Sequence, residues 1–212
     1  MSVLLGVGAS ARVGEIVRRL GARRVLLVTD DGVAEHASWI RGVLAGSGVR
    51  VDTFVATTPA ATVAQAHALA QWASGRGCEA VVALGGDGKL ALAQAAAWLL
   101  AHGGELEHVA RVSGPIAPIV AIPTVAMAVS EVCALRSAPA IVDVRLRPAW
   151  TIVDPELHRS CPPELTRACA EQAKRRTIAS AARARIDDAL AGALARPRDL
   201  HARCELAIAA LL

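Results

Sequence analysis

The chain has no tyrosine, one phenylalanine (Phe54) and no asparagine in 212 residues. Aromatic residues are 2% of the chain and no basic block carries aromatics interleaved with it, which argues against a nucleic-acid surface despite a net charge of +4. Lysine is scarce as well: Lys89 and Lys174 stand alone among 23 basic residues, and the arginines are spread along several helical patterns instead of forming a block. Hydrophobic residues make up 54% of the chain. They are mostly Ala, Val and Leu broken by charges, so no uncharged apolar run reaches the roughly 20 residues that a membrane span needs. The opening MSVLLGVGASARVGEIVRR lacks the basic-then-apolar order and cleavage site of a secretory signal, and a cytoplasmic location is expected. The five cysteines (Cys78, Cys133, Cys161, Cys169, Cys204) are odd in number, irregularly spaced and without a C-x-x-C pair. They read as reduced, small buried side chains and not as a disulfide framework or zinc site. A chain of this length buries a core without such staples.

What is present is an alternation of short β-branched apolar runs with helical patterns, the mark of parallel strands joined by crossover helices. Strands are expected at VLLGV near Val3, at RRVLLVTD ending on Asp30, around Val51, around Val82, and at PIVAIP ending on Pro123. Between them, Ala11 to Leu20, Gly32 to Gly46, Thr62 to Gly75 and Lys89 to Ala101 carry apolar residues at helical spacing. The fold class is therefore α/β, a Rossmann-like doubly wound and mostly parallel sheet. AIVDVRLRPAWTIVDPEL predicts two further strands as a hairpin, and Cys161-Pro162-Pro163 opens a helical tail that breaks near Pro197. Residues 1–157 form the expected nucleotide-binding-like domain and residues 158–212 a short, truncated helical one. The tail ends on the apolar stripe ELAIAALL, which asks for something to pack against.

ALGGDGKLALAQAAA places a Gly-rich turn between a buried strand and a helix, where backbone N–H groups and the helix dipole attract a phosphate. Gly85, Gly86 and Gly88 allow close approach, and Lys89 adds a cation in the first helical turn. Asp87 works against this, since a carboxylate in the loop repels a pyrophosphate unless it caps the helix or takes a ribose hydroxyl. Asp30 ends its strand where an open α/β sheet sets a carboxylate against a ribose 2′-hydroxyl, favouring NAD over NADP; a plain helix N-cap before Gly32 fits the same residue.

These segments, in order, resemble the iron-containing alcohol dehydrogenases of the dehydroquinate synthase-like superfamily. GVGA with RRVLLVTDDGV resembles the family's opening strand and helix, and ALGGDGKLALAQAAA its GGGS-x-x-D-x-x-K loop. AIPTVAMAVSEV resembles IPTTAGTGSEV, and WTIVDPEL with the following PPEL resembles DPEL and the PP-x-L junction. The resemblance implies a nucleotide-binding α/β half, reversible hydride transfer between NAD(H) and an alcohol or carbonyl, and a divalent metal as Lewis acid.

The departures are pointed. Asp87 replaces the loop's third Gly, Gly88 its Ser, Ala91 the Asp near nicotinamide and substrate, and Gln94 the Lys. Thr124, Ser130 and Glu131 survive, while Val125, Met127, Ala128 and Val129 replace family residues and Cys133 stands at a Thr. Registering PPELTRACAEQAKRR on the family's pattern puts Gln172 at the first metal ligand, an Asp, and Arg176 at the second, a His; the chain is expected to end ahead of the other two His ligands. Arginine carries a permanent positive charge and repels a cation, so no metal is expected. None of the six histidines stands four residues from another.

The leading expectation is a protein that binds a small polar, phosphorylated or carbonyl metabolite in the inherited cleft without a metal. If it is an enzyme, Asp87, Lys89, Thr124, Ser130, Glu131 and Cys133 supply acid–base or nucleophilic groups. The alternatives are an NAD(P)-dependent alcohol dehydrogenase or carbonyl reductase, with Asp30 on the ribose, Gly85 to Gly88 on the pyrophosphate and Thr124 nearby, and a non-catalytic scaffold or regulatory paralogue. A homodimer is expected from the resemblance and the terminal stripe.

Overall fold

A computed structural model describes residues 1–58, 60–106, 114–177 and 180–211, without the side chain of Arg176. His108 and the last residue of the terminal stripe lie outside the described residues.

Six strands form one sheet in the order β1-β8-β5-β4-β2-β3, every pairing parallel. They are β1 (Ser2–Leu5), β2 (Arg24–Asp30), β3 (Arg50–Ala56), β4 (Ala80–Gly85), β5 (Ile119–Pro123) and β8 (Trp150–Val153). The crossover helices are α1 (Val13–Arg19), α2 (Ala34–Gly46), α3 (Val63–Ala73) and α4 (Asp87–His102). The strand residues divide by alternation, as a pleated strand requires. Leu26, Val28, Val81 and Ala83 join α3 and α4 in one apolar cluster. Val25, Leu27, Val82 and Leu84 join α1 and α2 in the other. Both faces of the central strands are covered, which is why β2 and β4 read as continuous apolar runs in place of alternating ones. Helix α4 is buried on nearly all sides from Lys89 to Leu99, and Thr62 and Gln65 start α3 with a reciprocal capping box.

Two sequence expectations are corrected here. The predicted hairpin after Pro123 does not form. Ile141–Val142 (β7) pairs antiparallel with a short strand the sequence concealed, Val132–Cys133 (β6), whereas β8 inserts in parallel between β1 and β5. The intervening Val144–Leu146 turn, started by Asp143, and Pro148 carry the chain from one sheet to the other. Apolar alternation identifies strands but carries no information on their partners.

The second correction concerns the tail. It folds as α5 (Pro163–Arg176), α6 (Ser180–Ala195) and α7 (Leu200–Leu211). Leu206, Ala209 and Ala210 of the terminal stripe turn inward on Ala173, Ile186 and Leu190, in a third apolar cluster that also takes Ala126. The stripe is therefore covered within the chain. Buried Arg203 ties the tail's own segments together, donating to Thr166 Oγ1 at 2.7 Å, Cys161 O at 3.0 Å and Pro197 O at 2.7 Å. Among the described residues, no helix is long and apolar enough to cross a membrane.

Candidate functional site at the carboxyl edge of the sheet

From β2 the chain winds outward to β3, then returns past β2 to β4 and proceeds in the opposite direction to β5 and β8. The crevice between the carboxyl ends of β2 and β4 is the switch point at which open α/β sheets bind ligands. Asp30 ends β2 there, and Gly85 to Gly88 lead from β4 into α4.

Asp30 sits at the N-cap position of the Asp31–Val33 turn, but its side chain makes no capping bond. Its carboxylate instead meets Lys89 Nζ at 3.2 Å, and Lys89 also donates to Thr58 O at 3.1 Å. Lys89 is 2% exposed, so it lies in the wall beneath the crevice and not in the ligand path. Gly85 makes that possible. With φ 142° and a position under the lysine, any Cβ at residue 85 would lie 2.6 Å from Lys89 Cγ. Asp87 is the first residue of α4 and Gly86 is its cap, so the capping alternative for Asp87 is replaced by a favourable place in the helix's first turn.

Thr124 adjoins this turn, its N–H donating to Gly85 O at 3.2 Å. Beneath it lies His158, 2% exposed, whose Nε2 donates to Pro123 O at 3.0 Å. Burial pushes its pKa down to about 4, so it is a neutral support for the loop.

The remaining candidates diverge. Ser130 Oγ accepts from Val132 N at 3.3 Å, as a turn brace. Glu131 is paired with Arg147 at 2.8 Å. Its own backbone N–H and the Arg147 guanidinium hold its carboxyl below the usual range. Cys133 is fully buried against Ala91 O, to which its thiol donates at 3.3 Å, and burial pushes its pKa up to about 12. The thiolate is the nucleophile, and at neutral pH almost none forms here. That burial argues against a nucleophilic Cys133, and the ion pair argues against Glu131 as an acid.

Beside the crevice a cavity of about 420 Å3 opens between α4 and residues 132–136, with Asp87, Gly88, Ala91, Gln94, Arg136 and Gln172 in its wall. Gln94 is fully buried, its Nε2 donating to Ser130 O at 2.8 Å and Leu146 O at 3.0 Å. Its Oε1 has no hydrogen bond among the described residues. Sequence reasoning missed Arg136, because nothing local signals that its segment docks on the start of α3.

Gln172, which the resemblance registers on the family's first metal ligand, lines the same cavity. It brings a neutral carboxamide, and the sequence puts a guanidinium at position 176; this donor pair does not fit a divalent cation.

The iron-containing alcohol dehydrogenase family matches residues 1–155. A 4-hydroxybutyrate dehydrogenase of Cupriavidus necator is 34% identical over 174 residues, covering 74% of this chain and 45% of that protein. An NAD-dependent methanol dehydrogenase of Bacillus methanolicus is 29% identical over 170 residues, 73% of this chain and 44% of its own length. The chain thus spans less than half of these relatives. Among solved structures, a 1,3-propanediol oxidoreductase superposes with TM-score 0.89 at 24% identity, over 99% of this chain and 62% of its own. A sulfoacetaldehyde reductase from Bifidobacterium kashiwanohense, in complex with NAD+, gives 0.85 at 23% identity, over 100% of this chain and 63% of its own. The parallel sheet, the Gly-rich turn at its switch point and these matches agree: the chain belongs to the iron-containing alcohol dehydrogenase family.

Proposed function

We propose that this chain binds a nicotinamide dinucleotide, NAD(H), across the crevice between β2 and β4, with a small polar or carbonyl compound beside it, and that it does so without the family's metal. The observation that carries this reading is the meeting of Asp30 with the Gly85 to Gly88 turn at the switch point. A carboxylate accepts about four hydrogen bonds. Asp30, with its side chain 26% exposed and one oxygen on Lys89, keeps acceptor capacity for a ribose hydroxyl. The amides of the Gly86 to Gly88 turn and the start of α4 face the pyrophosphate, and Thr124 flanks it. That one similar structure carries NAD+ and one relative is NAD-dependent supports the choice of cofactor. When bound, NADH would donate a hydride and NAD+ would accept one; the chain's own residues bind and orient the dinucleotide.

Asp87 weakens this site, since its charge opposes a pyrophosphate in the same turn. Replacing it should therefore help: Asp87→Ser is expected to tighten NAD+ binding about 3- to 10-fold at low salt, the Coulomb energy of like charges at a partly screened surface. Calorimetry with NAD+, NADH, NADP+ and sugar phosphates tests the proposal. Binding of NAD(H) that is abolished by Asp30→Ala supports it, and silence from every nucleotide overturns it. Elemental analysis tests the metal claim separately, because a stoichiometric iron or zinc ion in the purified protein would contradict it. A homodimer belongs to the same proposal. The outer strand β1 and the residues around it expose Val3, Leu5 and Val7, and a monomer by light scattering would refute that part.

A further inference from the structure

We infer that His158 is a positioning residue for the dinucleotide: by holding the carbonyl of Pro123 it fixes Thr124 against Gly85, and so keeps the Gly85 to Gly88 turn aimed at the pyrophosphate without touching the ligand itself. This deepens the proposal above and rests on it in taking the crevice between β2 and β4 as the dinucleotide site.

The turn leans on the end of β5. Pro123, the last residue of that strand, lies opposite Gly85, the last residue of β4. Proline has no N–H to donate, so the bond that closes the two strands falls to the next residue, Thr124, whose N–H donates to Gly85 O at 3.2 Å. One residue further, Val125 backs the turn: its Cγ2 lies 3.5 Å from where a Cβ on Gly86 would stand. Residues 123–125 are therefore the wall against which the first two glycines rest.

His158 holds that wall from below. Its Nε2 meets Pro123 O at 3.0 Å, and because a carbonyl only accepts, the ring carries a proton on Nε2. At 2% exposure it is out of a ligand's reach. The ring acts as an anchor because the turn that carries it is itself pinned. His158 ends the short turn Pro155–His158, which opens on Asp154. The Asp154 carboxylate, also buried, accepts the N–H groups of Gly8, Ser10 and Glu156 at 3.1 Å each, and the Ser10 hydroxyl as well. Asp154 thus ties this turn to the loop after β1, and His158 ties it to the end of β5. The place of Pro123 is set by a frame that includes neither β4 nor the Gly-rich turn. Without the imidazole, a buried carbonyl loses a donor and the strand end shifts to recover one. A turn whose amides face the pyrophosphate only part of the time binds more weakly in proportion to that fraction.

The test separates the donor from the bulk of the ring. His158→Met removes the donor and keeps an apolar side chain of similar length; His158→Gln keeps an N–H for Pro123 O. Calorimetry on the full chain, well below the unfolding transition, is expected to show NAD+ binding weakened about 10-fold in His158→Met and largely restored in His158→Gln. Equal affinity in all three proteins, or equal loss in both variants, would overturn the positioning role and leave His158 as packing. An unaltered chain that binds no NAD+ removes the dinucleotide reading, and this role with it; NAD+ binding that ignores the substitutions removes the role alone. Hydrogen exchange on the unaltered, ligand-free chain decides the matter should His158→Met fail to fold. The Thr124 amide is expected to be as protected as those of β5, and exchange at the rate of an open loop would mean that nothing holds it on Gly85.

Discussion

Lys89 is nearly sealed from solvent, and its charge is met by a carboxylate that is still partly wet. Removing the carboxylate takes a charged partner from a buried cation, so Asp30→Asn is expected to cost about 1–3 kcal/mol, read as a shift in the urea midpoint. The sequence showed a lysine in the first helical turn of a Gly-rich loop, which fits a phosphate ligand equally well; its direction depends on Thr58, Asp30 and the missing Cβ of Gly85, none of which local spacing reveals. His158 sets a second expectation. Its folded pKa, about 4, lies below the unfolded value near 6.5, so between these the unfolded chain binds the extra proton. The stability it contributes is complete above pH 6.5 and is lost as the pH falls toward 4, up to about 3 kcal/mol. His158→Gln, which retains a donor for Pro123 O, should flatten the stability–pH curve in that window, whereas an unchanged slope would mean that other groups carry it. The thiol of Cys133, pushed up to about 12, should resist iodoacetamide at pH 8 in the folded protein and react once urea exposes it.

At the scale of the element, the strands and helices of the sheet were legible because each carries its own period: continuous apolar runs in β2 and β4, and helical spacing in α2, α3 and α4. The capping box shows the same locality. Thr62 and Gln65 satisfy the first turn of α3 between themselves, and Thr62→Ala should cost about 1 kcal/mol in thermal or urea unfolding, since a hydroxyl cap is lost without a change in packing. What failed were decisions that depend on distant partners. β6 is two residues long, and its identity as a strand exists only through Val132 facing Val142 and Cys133 facing Ile141. The terminal stripe of α7 was read as exposed because its cover, Ala173, Ile186 and Leu190, comes from two other helices. The cavity shares this origin. Its walls come from α4, α5, the turn before α3 and the segment after β6, so no single stretch of sequence announces it.

At the scale of the whole molecule, three apolar clusters divide the chain into unequal parts. Two lie on opposite faces of the sheet and share β2 and β4 between them; loss of either exposes the same strands, so they should open together. The third is built from α5, α6 and α7 with a single alanine, Ala126, from the body. Within it, buried Arg203 bonds to Thr166 and Cys161 and so joins α7 to the start of α5. Cys169 and Leu211 of the tail also pack against the first cluster, but a unit with its own core can still open at a lower free energy than the global one. Hydrogen exchange should therefore show the amides of α6 and α7 exchanging as one group ahead of β2, β4 and β5, consistent with a boundary near residue 158. Arg203→Met should bring that opening forward by about 1–3 kcal/mol, because buried acceptors on Thr166 and Cys161 lose their donor, while the protection of the central strands stays as it was. If α6, α7 and the sheet lost protection together in both proteins, the tail would be part of one cooperative unit and the division at residue 158 would not describe how the chain folds.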